Sequence, residues 1–295
     1  MINRTIRTLV RTLYDFQDLR IRLANRLKKK KDGSDQKNVD DIDIIAEAMP
    51  TLLGAWKRAQ ESENDIEFLL EQELKVIPIY TEFLNKVKGI GPRMSGVIIG
   101  EYDIHIADTA SKLWQFTGLN PGMVYGRKVD KSKTGPNGKA LIYRTTDLIR
   151  GDKRTVGYLS PYNGWLRTKM IGALAPALLK SRTPSVYVKF YYDVKTRLEN
   201  SMLIYERTGK LWKDEPKGHR DLAARRYMVK MFLADLYKEW RFLEGLTVRP
   251  PYKDEYLGKI HQEDLDISVV DDFEDMQKIV DANEKLVGEL KDAED

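Results

Sequence analysis

The 295-residue chain is 42% apolar, enough for a packed core, and has no apolar run long enough to span a membrane. It has no cysteine and only three scattered histidines, His105, His219 and His261, which excludes disulfides and thiolate zinc sites and argues against a histidine-built metal or catalytic centre. The net charge of +5 hides an asymmetry: residues 253–295 hold 15 acidic and 5 basic side chains, so the remainder carries +15, a balance that points to a polyanion and most simply to nucleic acid.

The first residues, MINRTIRTLVRTLYDF, are basic and lack an apolar h-region, so no secretory signal is expected. Residues 2–27 read as a helix. Ile2, Leu9, Phe16 and Leu23 recur every seven residues, Ile6, Leu13 and Leu27 adjoin them, and Arg4, Arg7, Arg11, Arg22 and Arg26 lie opposite. So long a stripe needs cover, either from a second copy of the chain or from residues 61–87. KKKKDGSDQKNVDD reads as an exposed loop. IDIIAEAMPTLLGAWKRA suggests two short helices divided by Pro50, and residues 61–87 a second long helix kinked at Pro78.

The stretch NKVKGIGPRMSGVIIGEYDI, residues 85–104, then sets Gly-Ile-Gly-Pro between two apolar segments. This is the pattern of a helix-hairpin-helix. Gly89 and Gly91 allow left-handed angles and close backbone approach, Ile90 plugs inward, and Pro92 opens the second helix. Leu84 and Val87 supply one apolar face, Val97 and Ile98 the other, and small Ser95 or Gly96 permits close crossing. With Lys86, Lys88 and Arg93 around it, such a loop offers backbone amides and cations to a phosphate without reading bases.

A helix is expected in ASKLWQFTG, capped by Asp108 or Thr109 and ended by Gly118. Residues 120–163 are rich in glycine, proline and cations, with β-prone pieces only at ALIYRTT and RTVGYL, and read as a loop or at most a small hairpin. Arg127, Lys128, Lys131, Lys133, Lys139, Arg144, Arg150, Lys153 and Arg154 crowd into 28 residues around Tyr125 and Tyr143, a composition that suits backbone tracking with tyrosine stacking. Helices resume at 164–180, where Arg167 and Lys169 join the candidate contacts, at about 184–206 and at 219–243. From Pro250 the chain reads as extended and then acidic, with at most one amphipathic helix. Glu101 with Asp103 reads as a pair of surface charges rather than a metal pair, and His219 as the start of a helix.

From the hairpin onward, VKGIGPRMSGVIIGEYDIHIADTASKLWQFTGLNPG resembles the C-terminal domain of Piv/MooV-type insertion-sequence transposases, the class guided by a bridge RNA. The GIGP hairpin, Glu101 to Ile104 in place of an E-x-G-D-I stretch, and Phe116 to Pro121 in place of a GL-x-P turn follow the family's order. GWLRTKMIGALAPALLKS, SVYVKFYYDVKTRL and RDLAARRYMVKMFLADLYKEW resemble its later helices. The resemblance covers roughly residues 60–245. It departs at the catalytic site. Fewer than 60 residues precede the match and read as helix, so no acidic residue corresponds to the RuvC-like metal site. Where the family has its serine, this chain has GMVYGRK, and the next serine is Ser132.

The expectation is a mainly α protein: a helical bundle with long N-terminal helices, a helix-hairpin-helix and a basic loop or small hairpin insertion. Its expected regions are 1–60, 61–250 with the insertion at 122–163, and an acidic tail at 251–295. The expected function is non-catalytic, largely sequence-independent binding of DNA, with RNA possible. The contacts would be Lys86, Lys88, Gly89, Ile90, Gly91, Arg93, Arg127, Lys128, Lys131, Lys133, Arg144, Arg167 and Lys169, with no metal, cofactor or membrane. A cytoplasmic, nucleoid-associated protein, oligomeric through its N-terminal helices, would fit. Two alternatives stand beside it: a strand-exchange enzyme using Ser132 with a partner nuclease, and an assembly protein whose hairpin only packs helices.

Overall fold

The computed structural model describes residues 3–27, 49–135, 138–180, 186–205 and 207–250. Its elements are mainly helical, with two small antiparallel ribbons. They fall into two compact units. One comprises Ile2–Glu82 and Gly91–Tyr102, the other Phe83–Ile90 and Asp103–Asp295.

The first unit is built from α1 (Arg4–Leu27), α2 (Pro50–Leu74), α3 (Pro78–Glu82) and α4 (Pro92–Glu101). The Asn3 side chain caps α1 by accepting from the Ile6 amide at 3.0 Å. Ile6, Val10, Leu13, Leu23 and Leu27 form its buried stripe, so α1 is covered within the chain, by α2 and α4. This is the intramolecular one of the two expected covers. Ile2 lies outside the described residues, as do the 28–41 loop and the helix expected before Pro50. Pro50 opens α2, where a missing amide costs nothing, and α2 runs unbroken through the expected boundary at residue 60. Pro78 separates α2 from α3 rather than kinking one long helix, because a proline there removes a donor and clashes with the preceding turn.

Helix α4 is buried along its whole length from Met94 to Glu101. Two glycines make that possible. A Cβ on Gly100 would stand 2.9 Å from the Arg7 Cα, and one on Gly96 would stand 3.0 Å from the Leu70 methyls. The small residues therefore admit α1 and α2, and the close contact offsets the roughly 1 kcal/mol that a helical glycine costs relative to alanine.

The second unit begins with the segment Phe83–Ile90, which holds a single 3-10 turn, Leu84–Lys86. There follow α5 (Ala110–Thr117), the ribbon β1 (Met123–Thr134) and β2 (Ala140–Arg150), α6 (Gly164–Lys169), α7 (Ala175–Lys180), α8 (Tyr187–Glu199), the short pair β3 (Ile204–Tyr205) and β4 (Lys210–Leu211), and α9 (Lys217–Leu243). Thr109 occupies the N-cap position of α5, and Gly118 ends it at φ +74°, the left-handed stop that its type allows. Helices α6 and α7 are joined by a π turn, Met170–Leu174, in which the Ala175 amide reaches back to the Met170 carbonyl. Pro176 follows at once and brings no amide to the ladder, so the widened turn falls where helical bonding is already interrupted.

Phe232 of α9 stands at the centre of this unit. It stacks on Phe83 at 6.1 Å and receives the edge of Tyr187 at 5.5 Å. Side chains of this size contribute roughly 1.5–3 kcal/mol each when fully buried. Backbone carbonyls of the 104–108 segment are tied to α9. Arg241 donates to Ile104 and Ala107, and the Tyr237 hydroxyl donates to Asp108 at 2.6 Å. The Trp114 indole likewise donates to the Lys230 carbonyl. These bonds fix α5, and through it the root of the β1–β2 ribbon.

Candidate nucleic-acid interface

The Gly-Ile-Gly-Pro segment is the first place to look. Lys86, Lys88 and Gly89 are exposed, while Ile90 is buried as the inward plug. The two glycines differ. Gly89 takes φ +91°, and a Cβ there would sit 2.7 Å from the Ala177 carbonyl oxygen, so it meets both reasons for glycine. Gly91 is extended (φ −106°, ψ −178°), and nothing lies within 4 Å of a Cβ placed on it. The chain passes from one unit to the other at Ile90–Gly91.

Arg93 is engaged inside its own unit. Its guanidinium donates to Glu67 through Nε at 2.6 Å and through a second nitrogen at 2.5 Å, and to Glu63 at 2.8 Å. The hydrogen bonds it donates to Glu67 hold its pKa above the ordinary arginine value, against the opposing pull of burial. Glu63 also accepts from Arg20 at 2.6 Å. Burial pushes the Glu63 carboxyl up, but the hydrogen bonds from Arg20 and Arg93 outweigh it and hold the group below its usual range. Glu101 is not the surface charge its sequence context suggests. It is buried and accepts from Arg11 at 2.6 Å, with Arg7 at 3.3 Å, because α4 carries it inside against α1.

Of the two forms expected for the basic insertion, loop or small hairpin, it takes the hairpin. Met123 pairs with Arg150, Tyr125 with Leu148, Arg127 with Arg144, and Val129 with Ile142 in antiparallel register. RTVGYL forms no strand. Instead the Leu159 amide bonds the Arg127 carbonyl at 2.8 Å, so this segment runs beside β1. Residues of a cross-strand pair share a face, and alternate pairs change face. Val124, Gly126 and Ile149 therefore point inward, where the Tyr158 ring covers Gly126. Lys128 lies on that side too, 4.5 Å from the Tyr158 ring centre and 3.8 Å from Asp147.

The outward face holds Arg127 and Arg144 directly opposite one another, both exposed. Arg127 reaches the Ser160 carbonyl at 3.4 Å, and the Arg144 guanidinium lies 4.1 Å above the Tyr125 ring. Tyr125, Arg127 and Arg144 line an open cavity of about 240 Å³ whose other walls include Val124, Ile149 and Leu159. Lys131, Lys133 and Lys139 are exposed towards the ribbon tip, with Lys133 3.7 Å from Asp130. Ser132 donates its hydroxyl to Asp130 at 2.6 Å. That bond, with those from the Ser132 amide and Lys133, holds the Asp130 carboxyl below its usual range, which makes it a weak proton acceptor.

At the start of α6, Arg167 donates to the Asp152 carbonyl at 2.6 Å and lies 4.9 Å from the Tyr162 ring centre. Lys169 sits 5.4 Å from the Trp165 ring centre. Sequence reasoning overlooked Arg226 on α9. Burial lowers its pKa, and the positive charges of Arg167 and Arg207 push the same way against Tyr205 and Asp152. The run AARR was the available signal, but nothing in it tells which arginine turns inward. His219 engages Glu215 at 2.7 Å, and Glu215 also accepts from the Thr208 hydroxyl, so this cluster secures the start of α9. Among the described residues no three metal-ligating side chains lie together, and no helix is long and apolar enough to cross a membrane.

No family model, curated protein or solved structure matches the chain.

Proposed function

We propose that the protein binds nucleic acid, DNA in the first instance, through its phosphates and without catalysis. The observation that supports this is the Arg127–Arg144 pair. Like charges directly opposite across two strands destabilise a ribbon, and no carboxylate shares their face to relieve them. A polyanion relieves both charges, and the exposed Lys131, Lys133 and Lys139 extend the same field towards the tip. Lys86 and Lys88 add exposed charge in the Gly-Ile-Gly segment, as the resemblance to the transposase domain implies. Arg93, held by two carboxylates, stands outside the proposed contact set.

Ser132 has no strong base beside it, which supports a binding role over strand exchange. The burial of α4 favours a packing role for the second arm of the hairpin, and so lends weight to the assembly reading as the alternative. A gel-shift series with duplex, branched and single-stranded DNA and structured RNA, repeated over a range of salt, decides between them. Binding that weakens steeply with salt, and further in an Arg127→Ala/Arg144→Ala variant, is expected. No salt-sensitive binding to any of these probes overturns the reading in favour of assembly.

A further inference from the structure

The outward face of a solvated antiparallel ribbon is ordinarily polar. Here it is not. Four of its pairs, Met123–Arg150, Tyr125–Leu148, Arg127–Arg144 and Val129–Ile142, contain five apolar side chains and three arginines, with exposed Thr146 between Leu148 and Arg144 where the register shifts. All five apolar residues are exposed, from 39% at Val129 to 56% at Met123 and Ile142. On the inward face the Tyr158 ring lies over Gly126 and Lys128. The outward apolar surface is therefore left for something else.

We propose that this face is a platform for single-stranded DNA, with the phosphates on Arg127 and Arg144 and the bases on Tyr125 and its aliphatic neighbours. The inference rests on the nucleic-acid reading above and narrows it. Phosphate contacts alone need cations and gain nothing from exposed Met123, Leu148 or Ile142. In a duplex the faces of the bases are hidden in the stack, so apolar side chains do not reach them. In a single strand the faces are open, and an aromatic ring accepts any base because every base has a π-face. The geometry is prepared for this. Arg144 already lies over the Tyr125 ring at 4.1 Å, with Arg127 directly across the ribbon from it. A base laid on Tyr125 has both guanidinium groups beside it for its phosphate. Arg150 is turned to Asp152 at 3.0 Å and serves the ribbon's root instead.

The test is fluorescence anisotropy of the full chain with a labelled dT 20-mer and with a 20-base-pair duplex at one salt concentration. Single strands are expected to bind at least about tenfold more tightly. Tyr125→Ala should lower that affinity by roughly tenfold, the weight of one base–aromatic stack, and leave duplex binding unchanged; Tyr125→Phe should keep it. Arg127→Ala/Arg144→Ala should weaken both forms. Circular dichroism confirms that these exposed-site variants fold. Equal or tighter duplex binding, or a Tyr125→Ala variant that holds single strands like the parent, overturns the inference while the broader reading stands. No binding to either form removes both. Tighter binding of a U 20-mer overturns the assignment to DNA. Dimers that dissociate on Tyr125→Ala without any change in DNA affinity assign the face to a second copy of the chain.

Discussion

The arginines of α1 and α4 and those of the β1–β2 ribbon are the same residue in opposite circumstances. In the first unit Arg7 and Arg11 close on Glu101, and Arg20 and Arg93 close on Glu63. Each carboxylate is 1% exposed, so each cluster is a structural clasp. On the ribbon, Arg127 and Arg144 face each other in solvent, and one lies over an aromatic ring. A cation's role is thus set by the carboxylates that the fold brings to it, and net charge alone does not distinguish a fastener from a binding group.

This contrast is sharpest at Glu63. Glu63→Gln should leave Arg20 and Arg93 without their shared anion and cost about 2–3 kcal/mol, discounted from a fully buried pair because those arginines are 24% and 30% exposed. Urea unfolding measures it, and a loss under about 0.5 kcal/mol would break the distinction between clasp and surface pair. Next in size is the glycine pair. Gly89→Ala should destabilise by about 2 kcal/mol, from left-handed strain plus collision with the Ala177 carbonyl. Gly91→Ala should stay within about 0.5 kcal/mol, since its backbone already suits alanine. Equal effects at both positions would contradict this geometry.

Acid offers a smaller, graded probe. Glu63 has a folded pKa below its reference of 4.5, so its contribution is fully present above that value and is lost as pH falls through the depressed one. Unfolding of the parent should therefore grow easier below about pH 4.5, and a Glu63→Gln chain should lose that part of the slope. Smallest in stability is Arg144→Ala, expected within about 0.5 kcal/mol of the parent because the side chain is exposed. In DNA binding the order reverses. Arg144→Ala should flatten the salt dependence by about 0.7 to 0.9 of a unit, one phosphate contact, while Glu63→Gln leaves the slope unchanged.

Much of the helical frame was legible in the sequence. The adjoining set Ile6, Leu13 and Leu27 of α1, the Gly118 stop, Ile90 as plug and left-handed Gly89 follow from periodicity and residue type, which act locally, whereas Leu9 and Phe16 of the expected seven-residue stripe are only half-buried. The hairpin was legible from its second strand but its first was not, because lysines and arginines interrupt the apolar alternation of β1, and its contact with Tyr158 lies beyond the hairpin. Arg93 misled for a related reason. Its partners Glu63 and Glu67 lie 30 and 26 residues earlier, and only the packing of α4 against α2 brings them to it. Tyr125 was legible as an aromatic among cations. That it shares one face with three arginines and four other apolar side chains depends on register, including the shift between Tyr125 and Arg127.

The way the chain threads its two units sets a schedule for synthesis. Helices α1 and α2 belong with α4, yet Phe83–Ile90 in between belongs to the other unit. As the polypeptide emerges, Val10 and Leu70 must wait for α4 before their last neighbour arrives. Residues 83–102 take roughly 1–4 s to translate at 5–20 residues per second. In the first half of that interval the nascent N-terminal helices present open apolar seams, with Glu63 already within reach of Arg20 but Arg93 not yet made. Chaperone capture of the growing chain is therefore expected to peak before residue 102 clears the ribosome, and to fall once α4 slides into place.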